Sequence, residues 1–90
     1  MTAQKDLTMT MTLNILYFAS LADEAGCDQE TVTVTPPITL PELFAQLNEK
    51  HNFSRPQSQL RVALNDNFAN WEVRLCDGDK IAFIPPVAGG

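Results

Sequence analysis

At one place only in this 90-residue chain does helical periodicity persist beyond a single turn. Thr39-Leu40-Pro41-Glu42 opens that stretch as a capping box, with Thr39 as N-cap and Glu42 at the third helical position. Pro41 falls in the first turn, where its missing N–H costs little. Leu40, Leu43, Phe44 and Leu47 then follow the i, i+3, i+4, i+7 spacing of one buried stripe. The helix is expected to run to Lys50 or His51, both suited to a C-terminal turn, with Asn52 in the left-handed capping position. His51 is therefore expected as a surface feature. A chain with one helix must bury that stripe on a sheet.

The flanking sequence supplies the sheet. Leu13-Asn14-Ile15-Leu16-Tyr17-Phe18 predicts a first strand, with Leu13, Ile15 and Tyr17 on one face and Leu16 and Phe18 on the other. Residues 21–25 read as a single helical turn stopped by Gly26. Glu30-Thr31-Val32-Thr33-Val34-Thr35 alternates, which points Val32 and Val34 to the core and the threonines to water. Pro36-Pro37 ends that strand. After a loop over 53–59, residues 60–64 alternate again. Asn65-Asp66-Asn67 is a turn, Phe68 begins a short segment, and residues 71–75 lead back toward the sheet. Asp77-Gly78-Asp79 is a strong turn signal before a last strand, Ile81-Ala82-Phe83-Ile84. The pattern ββαβ(β)β is an α+β arrangement.

Ninety residues make one domain. Eleven acids against six bases give a formal charge of −5. That argues against nucleic acid as a partner, because nothing here neutralises a phosphate backbone. It is compatible with steering toward basic partner surfaces. Cys27 and Cys76 share no CxxC spacing and read as free intracellular thiols. With one histidine and no ligand cluster, no metal site is expected; Asp77 and Asp79 read as turn residues. Residues 1–12 hold no apolar stretch, so they are not read as a signal peptide but as a disordered extension, and the repeated Met-Thr leaves Met9 or Met11 open as the natural start. No segment approaches the length of a membrane span, so no membrane role is expected and the location is expected to be cytoplasmic. The sequence contains no GxGxxG, Walker, GxSxG or HExxH motif.

No side-chain constellation here could run a reaction. The ending Phe83-Ile84-Pro85-Pro86-Val87-Ala88-Gly89-Gly90 offers another route. Proline fixes φ and lacks an N–H, so Pro85-Pro86 closes the last strand and sends the tail off extended. Gly89 and Gly90 carry no side chain, so the tip can pass through a narrow channel. The six residues from Pro85 to Gly90 reach roughly 20 Å at about 3.3 Å each. Val87 and Ala88 give modest anchoring, and a pre-extended tail has less freedom to lose on insertion. The reactive group is then the α-carboxylate of Gly90, ionised near pH 7 since such groups titrate at roughly 3.5.

The run from Leu75 to Gly90, Leu-Cys-Asp-Gly-Asp-Lys-Ile-Ala-Phe-Ile-Pro-Pro-Val-Ala-Gly-Gly, resembles the C-terminal signature of the small-subunit family of molybdopterin synthases, ubiquitin-like sulfur carriers. The resemblance is weaker but consistent from Leu13 onward. It implies the β-grasp fold, a mixed sheet wrapped around one helix, over residues 13–84, with 85–90 as the tail. It also implies that Gly90 is adenylated by an E1-like partner that consumes ATP. A sulfur donor protein then converts it to a covalent C-terminal thiocarboxylate. The tail delivers sulfur to a pterin precursor inside the large synthase subunit, in a heterotetramer. No tightly bound cofactor is implied, and the chain is non-catalytic alone because the large subunit supplies the active site.

The first and last strands are apolar on both faces, and one helix covers only one face of a sheet. The opposite face is therefore expected as a partner interface, with Phe18, Phe83 or Ile84, Pro85 and Val87 near its centre. Three alternatives share parts of this reading: a thiamine-pathway sulfur carrier, a modifier that forms isopeptide bonds with lysine, and an interaction module docking by strand addition. The first two share the Gly-Gly ending and its activation chemistry; the Pro-Pro-Val-Ala run favours the molybdopterin reading over the thiamine one.

Overall fold

The computed structural model describes residues 10–86. Its elements in chain order are β1 (Met11–Tyr17), α1 (Ser20–Ala25), β2 (Gln29–Val34), α2 (Leu40–His51), a 3-10 turn at Gln57–Gln59, β3 (Arg61–Leu64), β4 (Asn67–Ala69) and β5 (Lys80–Ile84). The strands form one sheet in the order β2-β1-β5-β3-β4. β1 pairs antiparallel with β2 and parallel with β5, and β3 pairs antiparallel with both β5 and β4. A mixed sheet with one main helix is the β-grasp arrangement.

Helix α2 forms where the sequence places it. The Thr39 hydroxyl accepts from the Glu42 N–H, and the Glu42 carboxylate accepts from the Thr39 N–H. This satisfies two donors that the helix start otherwise leaves orphaned. At the other end Asn52 sits at φ 59° and donates its N–H to the Asn48 carbonyl. Leu40, Leu43, Phe44 and Leu47 are buried. They meet Leu13, Ile15 and Tyr17 of β1 and Ile81 and Phe83 of β5 in one core. Phe83 is fully buried, its ring 5.5 Å from that of Phe44 and 5.8 Å from that of Trp71.

The sheet starts earlier than the sequence suggests. Met11 and Thr12, expected in the extension, belong to β1: Met11 is buried and pairs with Val34. A strand edge needs backbone partners more than apolar side chains, so polar Thr12 costs nothing there. The Asp77-Gly78-Asp79 turn holds this corner. Thr12 N–H donates to Asp77 Oδ1 at 2.7 Å, and Gly78, at φ 87°, donates its N–H to the Thr12 carbonyl at 2.7 Å. Asp79 accepts from the Cys76 N–H and from the Asn65 side chain. Both carboxylates thus serve the turn. Residues 71–75 form no strand, but Leu75 is buried and Trp71 donates its indole N–H to the Leu60 carbonyl.

Candidate functional site

Strand parity divides the sheet into two faces. Helix α2 covers the face carrying Leu13, Ile15, Val62, Ile81 and Phe83. On the other face the register runs Gln29, Leu16, Ala82, Ala63, Phe68 across all five strands. One step along, Arg61 of β3 stands opposite Ile84 of β5. Phe18, one residue past β1, keeps the parity of Leu16. Among the described residues Phe18 and Phe68 are the exposed large hydrophobics, at 46% and 63% of their surface. Leu16, Ala82 and Ile84 are half-buried. Among the described residues no helix lies over this face, so an apolar patch across β1, β5, β3 and β4 is left in contact with water.

That surface surrounds the root of the tail. β5 is the central strand and runs parallel to β1, with Phe83 opposite Tyr17. The chain therefore leaves the sheet at the end where β1 finishes in Phe18. Pro85 is buried and Pro86 is exposed. Val87, Ala88, Gly89 and Gly90 lie outside the described residues.

Two of the expected interface residues, Phe18 and Ile84, fall on the open face. Phe83 does not: it faces the helix, wedged between Phe44 and Trp71. A strand apolar on both sides does not reveal which side the helix takes. Leu16 shares this face with Phe18, as its alternation in β1 predicts, and Phe68 joins them there, which the sequence did not show. Phe68 pairs with Ala63, which shares a face with Arg61.

The titratable groups gather elsewhere, under the α2 side of the sheet. Glu30 accepts from Lys50 Nζ at 2.6 Å and from the Tyr17 hydroxyl at 2.5 Å, and His51 Nε2 lies 2.7 Å from the same carboxylate oxygen as Tyr17. Burial opposes ionisation of Glu30. Its hydrogen bonds from Lys50, Tyr17 and His51 outweigh that and hold the carboxyl down at about 2. The Tyr17 phenol moves the other way, pushed up by burial and by its bond to the Glu30 charge. A carboxylate held that low is a poor base, and its hydrogen bonds tie β2, β1 and the end of α2 together. His51 is thus no surface feature. Its side chain is 11% exposed, with its ring edge-on to Tyr17 at 5.6 Å.

A hollow of about 850 Å³ is lined by Met11, Pro36, Pro37, Ile38, Trp71 and Leu75 among others. It sits at the Met11 end of β1, away from the tail root. Size alone does not make it the site, because the reactive group leaves from the opposite end of the sheet. Among the described residues no group of three or more His, Cys, Asp or Glu could hold a metal ion. Among them also, no helix is long and apolar enough to cross a membrane.

Comparison with known proteins agrees with this geometry. The model of the ThiS family matches residues 15–90. The molybdopterin synthase sulfur carrier subunit of Mycobacterium tuberculosis is 37% identical over 82 residues, covering 87% of this chain and 96% of that protein. One similar solved structure is the protein–protein complex of subunits 1 and 2 of molybdopterin-converting factor from Helicobacter pylori. It has a TM-score of 0.62 and 30% identity, covering 89% of this chain and 100% of that one. SAMP1 from Haloferax volcanii has a TM-score of 0.74 and 26% identity, over 88% of this chain and 99% of that one.

Proposed function

The chain belongs to the ThiS family, and on that premise we propose that it is the sulfur carrier subunit of a molybdopterin synthase. The single observation that carries the reading is the apolar open face at the root of the tail, where Phe18, Leu16, Phe68 and Ile84 lie around the strand that ends in Pro85-Pro86. A body that docks by this face presents its terminus to the partner it docks on. Relatives named for the same role support it, as does the Helicobacter pylori pair of subunits.

In this reading Gly90 carries the chemistry. A carboxylate is a poor electrophile. Attack of its oxygen on the α-phosphate of ATP, in an E1-like partner, expels pyrophosphate and leaves an acyl-adenylate. A persulfide from a sulfur donor protein displaces AMP, and a thiol reduces the resulting acyl disulfide to the thiocarboxylate. That soft nucleophile then enters the large subunit and attacks a pterin precursor. Water then attacks the acyl carbon of the resulting thioester and breaks its C–S bond, which leaves the sulfur on the pterin and restores the Gly90 carboxylate for another round. Gly89 keeps the path slim, and Val87 and Ala88 anchor it. The chain holds no cofactor of its own, and this cycle runs in the cytoplasm.

The test is the mass of the C-terminal peptide from protein purified out of cells growing on the pathway. Exchange of oxygen for sulfur shifts mass almost as much as oxidising a methionine, so the change must map to the final peptide. Sulfur at Gly90 is the expected result. A plain carboxylate, even with activator and donor supplied, overturns the carrier role, and a lysine conjugate in its place assigns the chain to the modifiers.

A further inference from the structure

The docking face differs in charge from the protein that bears it. The chain carries eleven acids and six bases. Yet the registers of the five strands place no acidic residue on the open face and two cations, Arg61 and Lys80. Lys80 is paired with Asp66 at 2.8 Å in the neighbouring turn. Arg61 has no ion-pair partner among the described residues. Its guanidinium carbon sits 4.3 Å from the centroid of the Phe68 ring. That contact fixes the long side chain against the apolar surface and lowers the entropy it loses on binding. Arg61 also stands opposite Ile84, the last strand residue before Pro85. Lys80 lies four residues back along β5, about 13 Å away and beyond a Debye length at 0.1 M salt.

We propose that Arg61 is a specificity residue of the docking face and that the partner meets it with a carboxylate. The inference rests on the docking reading above and deepens it by naming the partner's chemistry at one point. Arginine stacked on an aromatic ring is less hydrated than an ammonium and keeps its donor fork for a planar acceptor. A carboxylate fits that fork with two parallel hydrogen bonds. Covering this face without an anion would bury the guanidinium unpaired, which costs more than the apolar contacts around it return. The overall charge of −5 points to basic partners, so the local sign reverses the global one. A partner with a bare apolar or basic patch is thereby rejected, and one with an acid beside its apolar seat is accepted.

The test is the affinity of the full chain for the large synthase subunit from the same genome, measured at about 50 mM and about 500 mM salt. The variants are Arg61→Gln, Arg61→Glu and Arg61→Lys, with Arg74→Gln, an exposed cation lining the distant hollow, as the control. We expect Arg61→Gln to weaken binding roughly 5–10-fold and Arg61→Glu roughly 50-fold or more at low salt, with both losses shrinking at high salt. Arg61→Lys recovers part of the loss and Arg74→Gln changes nothing. If Arg61→Gln and Arg61→Glu bind like the parent while Ile84→Asp does not bind, the carboxylate is refuted and the docking face stands. A loss that ignores salt refutes it too, since packing of the arginine stem then accounts for the effect. If the parent chain itself forms no complex, the docking reading fails first, and this proposal with it.

Discussion

Replacing Glu30 by Gln tests the polar cluster quantitatively. The three donors around Glu30 hold its carboxyl at about 2 against an ordinary 4.5, so the folded state binds this proton more weakly than the unfolded chain does. The stabilisation is therefore present above pH 4.5 and drains away as the pH falls toward 2. A shift of that size corresponds to at most about 3.5 kcal/mol at about 1.4 kcal/mol per unit. Lys50 is 56% exposed, so solvent screens its share, and about 1.5–2 kcal/mol is the expected effect. For a domain of this size that equals a fall of about 10 °C in Tm. The assay is urea unfolding of the parent and of Glu30→Gln between pH 7 and pH 2. Other carboxylates titrate in both proteins, so the difference between the two isolates Glu30. That difference is expected to be constant from pH 7 to about 5 and to vanish near pH 2. Two unfolding curves that stay parallel down to pH 2 refute the argument, because the stability lost in Glu30→Gln then has no link to ionisation.

The remaining predictions concern the tail, the face and the core. Ile84→Asp and Phe68→Asp, at positions that are half-buried and exposed, should each lower affinity for the large subunit by 10-fold or more, on the order of 2 kcal/mol, while changing Tm little. Co-purification with a melting curve checks both. Phe83→Ala should destabilise the fold by about 3–5 kcal/mol, the usual loss for a fully buried aromatic, read by denaturant midpoint. Gly89→Val should leave the melting curve intact and abolish sulfur transfer, since a branched side chain blocks the narrow path; single-turnover transfer assays decide it.

Elements set by near neighbours were readable in the residues. Helix α2, its Thr39–Glu42 cap, its Asn52 terminus and the Asp77-Gly78-Asp79 turn depend on spacing within four residues. The faces of β1 followed from alternation, and Leu13, Ile15 and Tyr17 are buried as expected. Contacts between distant residues were not readable. Glu30 and His51 are 21 positions apart, and nothing near either announces the other. Phe83 and Ile84 looked interchangeable because both are large and apolar.

The sequence by itself determined one amphipathic helix, the strand alternation around it and the close of the last strand at two prolines. Each is a local rule of backbone sterics or side-chain period. Only the tertiary structure decided which sheet face the helix covers. That choice buried Phe83, left Phe68 exposed and Ile84 half-buried, and placed a stacked Arg61 opposite the end of β5. The reason is physical: a strand apolar on both sides has no inner face until something packs against one of them.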